Sequence, residues 1–316
     1  MPLEINYHDL HVHKLMLRDR IRCEAFRRAL TEMVIPDSAV LDVGAGTGLL
    51  SIFAAKAGAR VVYAVERTAT ARLAERIVAD NDLDDRIHVI QDDMEDVELP
   101  EKVDLIVSEW LGGYGIDENL LPVVVQARDR WLKPGGSMIP GHVTSRMAPA
   151  YDEDMEQDVQ LWRQHPYGVN LTAIAELTSR RLLCCRYDVK EEHLLADPQQ
   201  MWEIDCSAVT LEQATNTFEA ELGFTCRKGG RCNALAAWFE ARLSEDNILS
   251  NRPSDDWTHW GRWIFPLGAC LDVREGSSIA VLFRVTPESA GQSRAVWQVC
   301  VGDYSFSSED LTILTR

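Results

Sequence analysis

The chain has 316 residues, 46% of them hydrophobic and 26% charged, which excludes a disordered, collagenous or coiled-coil protein and leaves room for two packed cores. Lys and Arg number 32 against 50 Asp and Glu, and the resulting net charge of −18 repels phosphate backbones and anionic lipid while gathering cations. Nucleic-acid and membrane partners are therefore not expected.

The opening stretch MPLEINYHDLHVHKLML lacks a basic segment followed by an apolar one, and no apolar run approaches bilayer length, so a soluble cytoplasmic protein is expected. The eight cysteines are scattered without a C-x-x-C pair and read as reduced thiols. The eight histidines are dispersed as well, so no metal is expected.

In chain order, residues 15–30 carry a helical face, 39–43 form a short apolar strand, and 49–57 a helix. A second strand is expected at 61–65, a helix at 69–79, further strands at 87–90 and 103–107, and a helix from about 118 to 131. Strands alternating with helices imply right-handed crossovers and a mainly parallel, doubly wound sheet. After Pro140 and Gly141 the pattern changes. Phe218, Ala220, Leu222 and Phe224 alternate with polar residues, Gly229-Gly230 turns the chain, and 234–243 follows as the second arm of an expected hairpin. Runs at 279–285 and 296–301 are also β-rich, which suits an antiparallel sandwich or barrel. Two domains are expected, 1–140 and 141–316, with a helical insertion at about 169–200.

Residues 40–48 read VLDVGAGTG, a strand whose Gly44, Gly46 and Gly48 let the backbone approach a ligand under a helix N-terminus. Glu66 ends the next strand, where an acid can hold ribose hydroxyls. Taken alone, the glycines also fit a tight structural turn and Glu66 a solvated strand end. Residues 108–119 read SEWLGGYGIDEN at the carboxyl edge of the sheet, with Glu109 and Glu118 nine residues apart. Two carboxylates on one loop repel unless a cation sits between them, and a guanidinium, flat and always charged, offers donors that both can grip.

The glycine spacing, VYAVE at 62–66 and the acids at 92–96 resemble class I methyltransferases that use S-adenosylmethionine, with a hydride-transferring enzyme as the second cofactor reading. The 108–119 loop resembles the double-glutamate loop of protein arginine methyltransferases. Further likenesses are THW at 258–260, Met94-Glu95, HKLMLRDRIR at 13–22, Tyr167-Gly168 and Ala237-Trp238-Phe239. The resemblance implies a Rossmann-like class I methyltransferase domain followed by an antiparallel β-barrel with a helical dimerisation arm, an α/β architecture assembled as a homodimer. It implies that Arg22 meets the methionyl carboxylate, that His13 and Glu66 contact the ribose, and that Glu95 with the backbone of Met94 holds the adenine. The glycines Gly44 and Gly46 would cradle the cofactor. Glu109 and Glu118 would clamp the acceptor guanidinium, with Glu118 as first acceptor of the released proton. Asp19 would pair with His259 as a brace and proton route, Trp260 would wall the arginine channel, Met16 would limit space at the accepting nitrogen, and Tyr7 would line the entrance.

The chain departs from this pattern at Leu3 and Glu4, at Gly113, which replaces an aromatic, and at Asp117, which replaces a tyrosine. The acceptor is accordingly expected to be either free L-arginine, with Asp117 and its neighbours supplying extra polar contacts, or arginine in a polypeptide. Monomethyl and asymmetric dimethyl products are implied by the resemblance. The remaining alternatives are methylation of another amine or a hydroxyl, and a non-catalytic acidic scaffold.

Overall fold

The structure, a computed structural model, describes residues 10–180, 189–289 and 291–309. Its first helical stretch is two helices, α1 (Leu10–Arg18) and α2 (Arg20–Met33), where the sequence periodicity predicts one face. The break is Asp19, whose carboxylate accepts the Arg22 N–H at 2.9 Å and caps α2.

The first sheet is built from β1 (Ala39–Val43), β2 (Val61–Val65), β3 (Ile87–Ile90), β4 (Val103–Val107) and β5 (Leu132–Ile139), in the order β3-β2-β1-β4-β5 and parallel throughout. Helices α3 (Leu49–Ala57), α4 (Thr70–Asp80) and α5 (Leu121–Trp131) make the crossovers. β1 and β2 are apolar at nearly every position because both faces of the sheet are covered. Strand order reverses between β1 and β4, so the glycine turn after β1 and the double-glutamate loop after β4 open on one crevice at the carboxyl ends. α5 starts at Leu121 rather than near 118, and Glu118 lies in the loop before it.

β6 (His142–Ala150) begins the second half. α6 (Glu153–Arg163) and α7 (Thr172–Thr178) follow, so the helical insertion starts well before residue 169. Then come β7 (Gln199–Asp205), α8 (Leu211–Thr215), β8 (Phe218–Thr225), β9 (Gly230–Ser244), β10 (Asn247–Ser250), β11 (Trp263–Val273), β12 (Ser278–Ser289), β13 (Gln292–Val301) and β14 (Tyr304–Ser307). They form two antiparallel sheets, β10-β9-β6-β7 with β11 on β9, and β14-β13-β12-β8.

The hairpin expected between 218–224 and 234–243 does not form. β8 pairs with β12, while β9 pairs with β6, β10 and β11. Burial explains the difference: β8 alternates buried and exposed positions, but β9 is buried along most of its length and needs partners on both edges. The rings of Phe265, Phe283 and Trp297 pack edge-on in the core between the two sheets, with centroids 4.8 and 5.2 Å apart. Among the described residues no helix is long and apolar enough to cross a membrane.

Candidate active site

A cavity of about 970 Å³ occupies the crevice at the carboxyl ends of the parallel sheet. The glycine turn forms one wall. Gly46 has a φ of +54°, and a Cβ there would stand 3.2 Å from the His13 ring, so both the backbone conformation and the close approach of α1 call for glycine. Its N–H donates to Glu66 Oε2 at 2.9 Å, and the Thr68 N–H donates to Glu66 Oε1 at 2.8 Å. Glu66 is buried and organised by backbone donors, not a solvated strand end. Asp92, Asp93, Met94, Glu95 and Asp96, after β3, form the opposite wall, and Leu50, Val65 and Ile77 line the apolar part. A glycine cradle, an acid at the β2 end and an apolar slot beside the 92–96 loop fit a nucleoside with a charged tail.

One polar group beneath the turn is poorly served. Asp42 in β1 accepts the Ser51 hydroxyl at 2.6 Å through one oxygen, while the other is buried without a partner, and burial pushes its carboxyl up to about 6.

Arg22 projects from α2 into the same cavity and meets Glu109. Its Nη2 and Nε lie 2.8 and 3.1 Å from Glu109 Oε2, and the two side chains are only 8% and 10% exposed. Burial opposes the charge on Arg22, yet the adjoining Glu109 carboxylate outweighs it and raises the guanidinium above its ordinary range. The Leu111 N–H donates to Glu109 Oε1 at 3.0 Å, so both oxygens are held.

The rest of the loop is rooted in the barrel. Asp117, which the sequence offers as a contact for free arginine, is turned inward instead: its carboxylate accepts the N–H groups of Gly113 and Tyr114 at 3.0 and 3.1 Å, and burial pushes it up to about 6. A Cβ on Gly113 would stand 1.3 Å from Trp263 Nε1. The aromatic missing at 113 is thus replaced in space by the Trp263 ring, which β11 supplies. Tyr114 stacks edge-on against Trp263, Phe265 and Phe283 at 5.4, 5.6 and 5.9 Å.

The THW loop braces this assembly. His259 Nδ1 lies 2.8 Å from Asp19 Oδ2, and the His259 N–H donates to the same oxygen at 2.8 Å. Burial favours protonated Asp19, but the hydrogen bonds from His259 and the Arg22 N–H win and hold it below the usual carboxylate range. Trp260 Nε1 donates to the Leu111 carbonyl at 2.7 Å. Buried Asn251 donates through Nδ2 to the carbonyls of Gly113 and Gly261, both at 2.7 Å, and accepts the Phe239 N–H at 2.9 Å. The start of α2, the THW loop and the double-glutamate loop are therefore one hydrogen-bonded unit.

Comparison with known proteins assigns each half. Residues 40–136 match the profile of a methyltransferase domain, and residues 145–308 that of the arginine methyltransferase oligomerization subdomain. The chain belongs to the protein arginine methyltransferase family. It is 34% identical over 284 residues to protein arginine N-methyltransferase 6 of Danio rerio, covering 87% of this chain and 81% of that protein. It is 33% identical over 291 residues to protein arginine N-methyltransferase 1 of Caenorhabditis elegans, covering 89% and 82%. Among solved structures, the Trypanosoma brucei PRMT1 enzyme–prozyme heterotetrameric complex with AdoHcy superposes with a TM-score of 0.84 at 28% identity, covering 95% of this chain and 99% of that one. Arabidopsis thaliana protein arginine methyltransferase 10, described as uniquely open, gives 0.79 at 27% identity over 95% and 98%.

Within this arginine methyltransferase, His13, Met16, Arg22, Gly44, Gly46, Glu66, Met94, Glu95 and Glu109 line one cavity. Asp19, His259 and Trp260 stand behind the loop rather than in the cavity wall, and Glu118, half-buried in the loop, is not among the lining residues either. Tyr7 lies outside the described residues. Arg22 is on Glu109 here, so the group that the resemblance assigns to a cofactor carboxylate also neutralises the first clamp carboxylate. Sequence reasoning missed Asn251, and it missed the barrel residues Ser289, Gly291 and Gln292 that line the cavity. No spacing rule ties them to the loop, because they reach it only through the packing of the barrel.

Proposed function

We propose that this chain moves a methyl group from S-adenosylmethionine to a guanidino nitrogen of arginine in a polypeptide. The carrying observation is that Gly44, Gly46, Glu66, Met94 and Glu95 share one cavity with Glu109, which puts the cofactor residues and the first clamp carboxylate within reach of the same ligands. The cofactor, when bound, supplies an electrophilic methyl on a sulfonium.

The protein's part is positioning and charge. Glu109 is preset by Arg22 and the Leu111 N–H, so it needs no reorganisation when a guanidinium arrives. With Glu118 it draws the delocalised positive charge toward two nitrogens and leaves electron density on the third. As the carbon–nitrogen bond forms, that nitrogen becomes acidic, and Glu118 takes the proton, with the Asp19–His259 pair as a relay outward.

The inward turn of Asp117 supports a peptidyl acceptor over free L-arginine, because that carboxylate is engaged by the loop's own N–H groups. Monomethyl and asymmetric dimethyl products belong to the proposal on the likeness of Met16 and His259 to that subclass. A homodimer does so on the oligomerization subdomain and the exposed Leu161, Tyr167, Val169 and Ile174 of the α6–α7 arm. A cytoplasmic location does so on six free thiols among the described residues.

Incubation with labelled S-adenosylmethionine, a basic arginine peptide and free L-arginine, followed by mass spectrometry, tests this reading. Methylated peptide is expected, and Glu118→Gln is expected to keep cofactor affinity while kcat falls by about 10² to 10³. No guanidino product from either acceptor, or wild-type turnover in Glu118→Gln, would refute it.

A further inference from the structure

Glu118 sits between two residues that the barrel holds. On one side the Asp117 carbonyl accepts the Ser293 hydroxyl at 2.6 Å, and on the other Asn119 Nδ2 donates to the Ser289 carbonyl at 2.9 Å. Both partners belong to the β12–β13 hairpin, 170 residues or more along the chain. The hairpin pairing carries a register shift between Pro287 and Ser289, an irregularity of the kind that re-aims the end of a ribbon. Its tip then reaches the parallel-sheet crevice, where Ser289, Gly291 and Gln292 line the cavity with Glu109.

One further feature supports the tether. Asn119 has a φ of +48°, a left-handed conformation in which asparagine is among the tolerated residues, so its side chain is aimed at the hairpin by a committed turn. Glu109 by contrast is held by α2 and by its own loop. The Glu109 carboxylate is therefore held within the parallel-sheet half, whereas the residues on either side of Glu118 are tied to the barrel.

We propose that the β12–β13 hairpin is the positioning element for Glu118, with Ser293 and Asn119 as positioning residues, so that the barrel domain sets the geometry of half of the guanidinium clamp. This rests on the clamp role given to Glu118 above. Because a misplacement of about 1 Å at a reacting group can lower the rate about a hundredfold, the tethers should show in turnover before they show in binding.

The test uses the full chain with Ser293→Ala, Asn119→Gly, the double variant, and Ser293→Thr as the conservative control. Glycine at 119 suits the left-handed turn, so a loss there is not backbone strain. The double variant is expected to lose about tenfold to a hundredfold in kcat with cofactor Kd changed less than about twofold, and amide exchange across 115–120 should quicken about tenfold. Ser293→Thr should stay near wild type. In a Glu118→Gln background the same double change should alter the residual kcat by less than about twofold, because the tethers act through Glu118.

Unchanged kcat in the double variant, unchanged exchange across 115–120, or a full further loss in the Glu118→Gln background would each overturn the proposal. If wild-type protein methylates no guanidino acceptor, the reading of the reaction fails. The exchange measurement then still decides the tether, faster exchange upholding it and unchanged exchange overturning it.

Discussion

Replacing Arg22 with methionine keeps a long apolar stem against α2 and removes the only feature of that side chain that Glu109 uses. In the structure Glu109 is 10% exposed, with Oε2 on the guanidinium at 2.8 and 3.1 Å and Oε1 on the Leu111 N–H at 3.0 Å. Removing one partner of a buried ion pair costs about 3 to 5 kcal/mol, because a carboxylate is stranded away from water. Glu109 retains one backbone donor, so the lower end applies and Arg22→Met should cost about 3 kcal/mol. Urea unfolding followed by circular dichroism, without ligand, reads this directly as the first transition moving to lower denaturant. The companion Glu109→Gln removes the stranded charge, and a double-mutant cycle should return a coupling of about 2 kcal/mol, within the range found for contacting groups. A loss under about 1 kcal/mol in Arg22→Met, or a cycle that closes with no coupling, would refute the reasoning and make the pair an ornament of the surface.

Gly113→Ala places a Cβ 1.3 Å from Trp263 Nε1 and should lower stability by about 1 to 3 kcal/mol, with Trp263→Ala relieving the clash in the double variant; a neutral single variant by thermal melting counts against the packing described. Asp42 has a raised carboxyl, so the folded state favours its protonated form: its contribution is complete below the ordinary value of 3.8 and is lost as pH rises through about 6. Asp42→Asn should accordingly stabilise the protein more at pH 8 than at pH 5, by about 1 to 2 kcal/mol, and equal effects at the two pH values would contradict the assignment. Tyr167 is fully exposed on the arm beside Val169, so Tyr167→Asp with Ile174→Asp should give a monomer by light scattering, and a persistent dimer would move the interface elsewhere.

Much of the site was legible in the chain because its residues are local. VLDVGAGTG must turn on glycine where α1 crowds it, an acid must end β2, and both carboxylates fall within one short loop. Periodicity likewise placed four of the five parallel strands, since apolar runs buried on both faces have a pattern of their own, but it missed β5, whose largely unburied Lys133-Pro134-Gly135-Gly136 reads as a turn. It failed at residues 15–30, where Asp19 divides one apolar face into two helices, and at β8 and β9, where alternation shows that a strand is half-buried but not which strand pairs with it.

The sequence by itself determined the chemistry on offer: a glycine cradle, an acid for ribose hydroxyls, and two carboxylates spaced for a guanidinium, all set by side-chain type and short separation. Tertiary structure alone decided how those groups are held. Arg22 lies on Glu109, Asp117 faces inward, Trp263 fills the space left at Gly113, and Ser293 and Ser289 hold the two residues that flank Glu118 in the chain. The physical reason is distance along the chain. Such contacts join residues dozens to hundreds of positions apart, and only the packing of two sheets brings them within hydrogen-bond range.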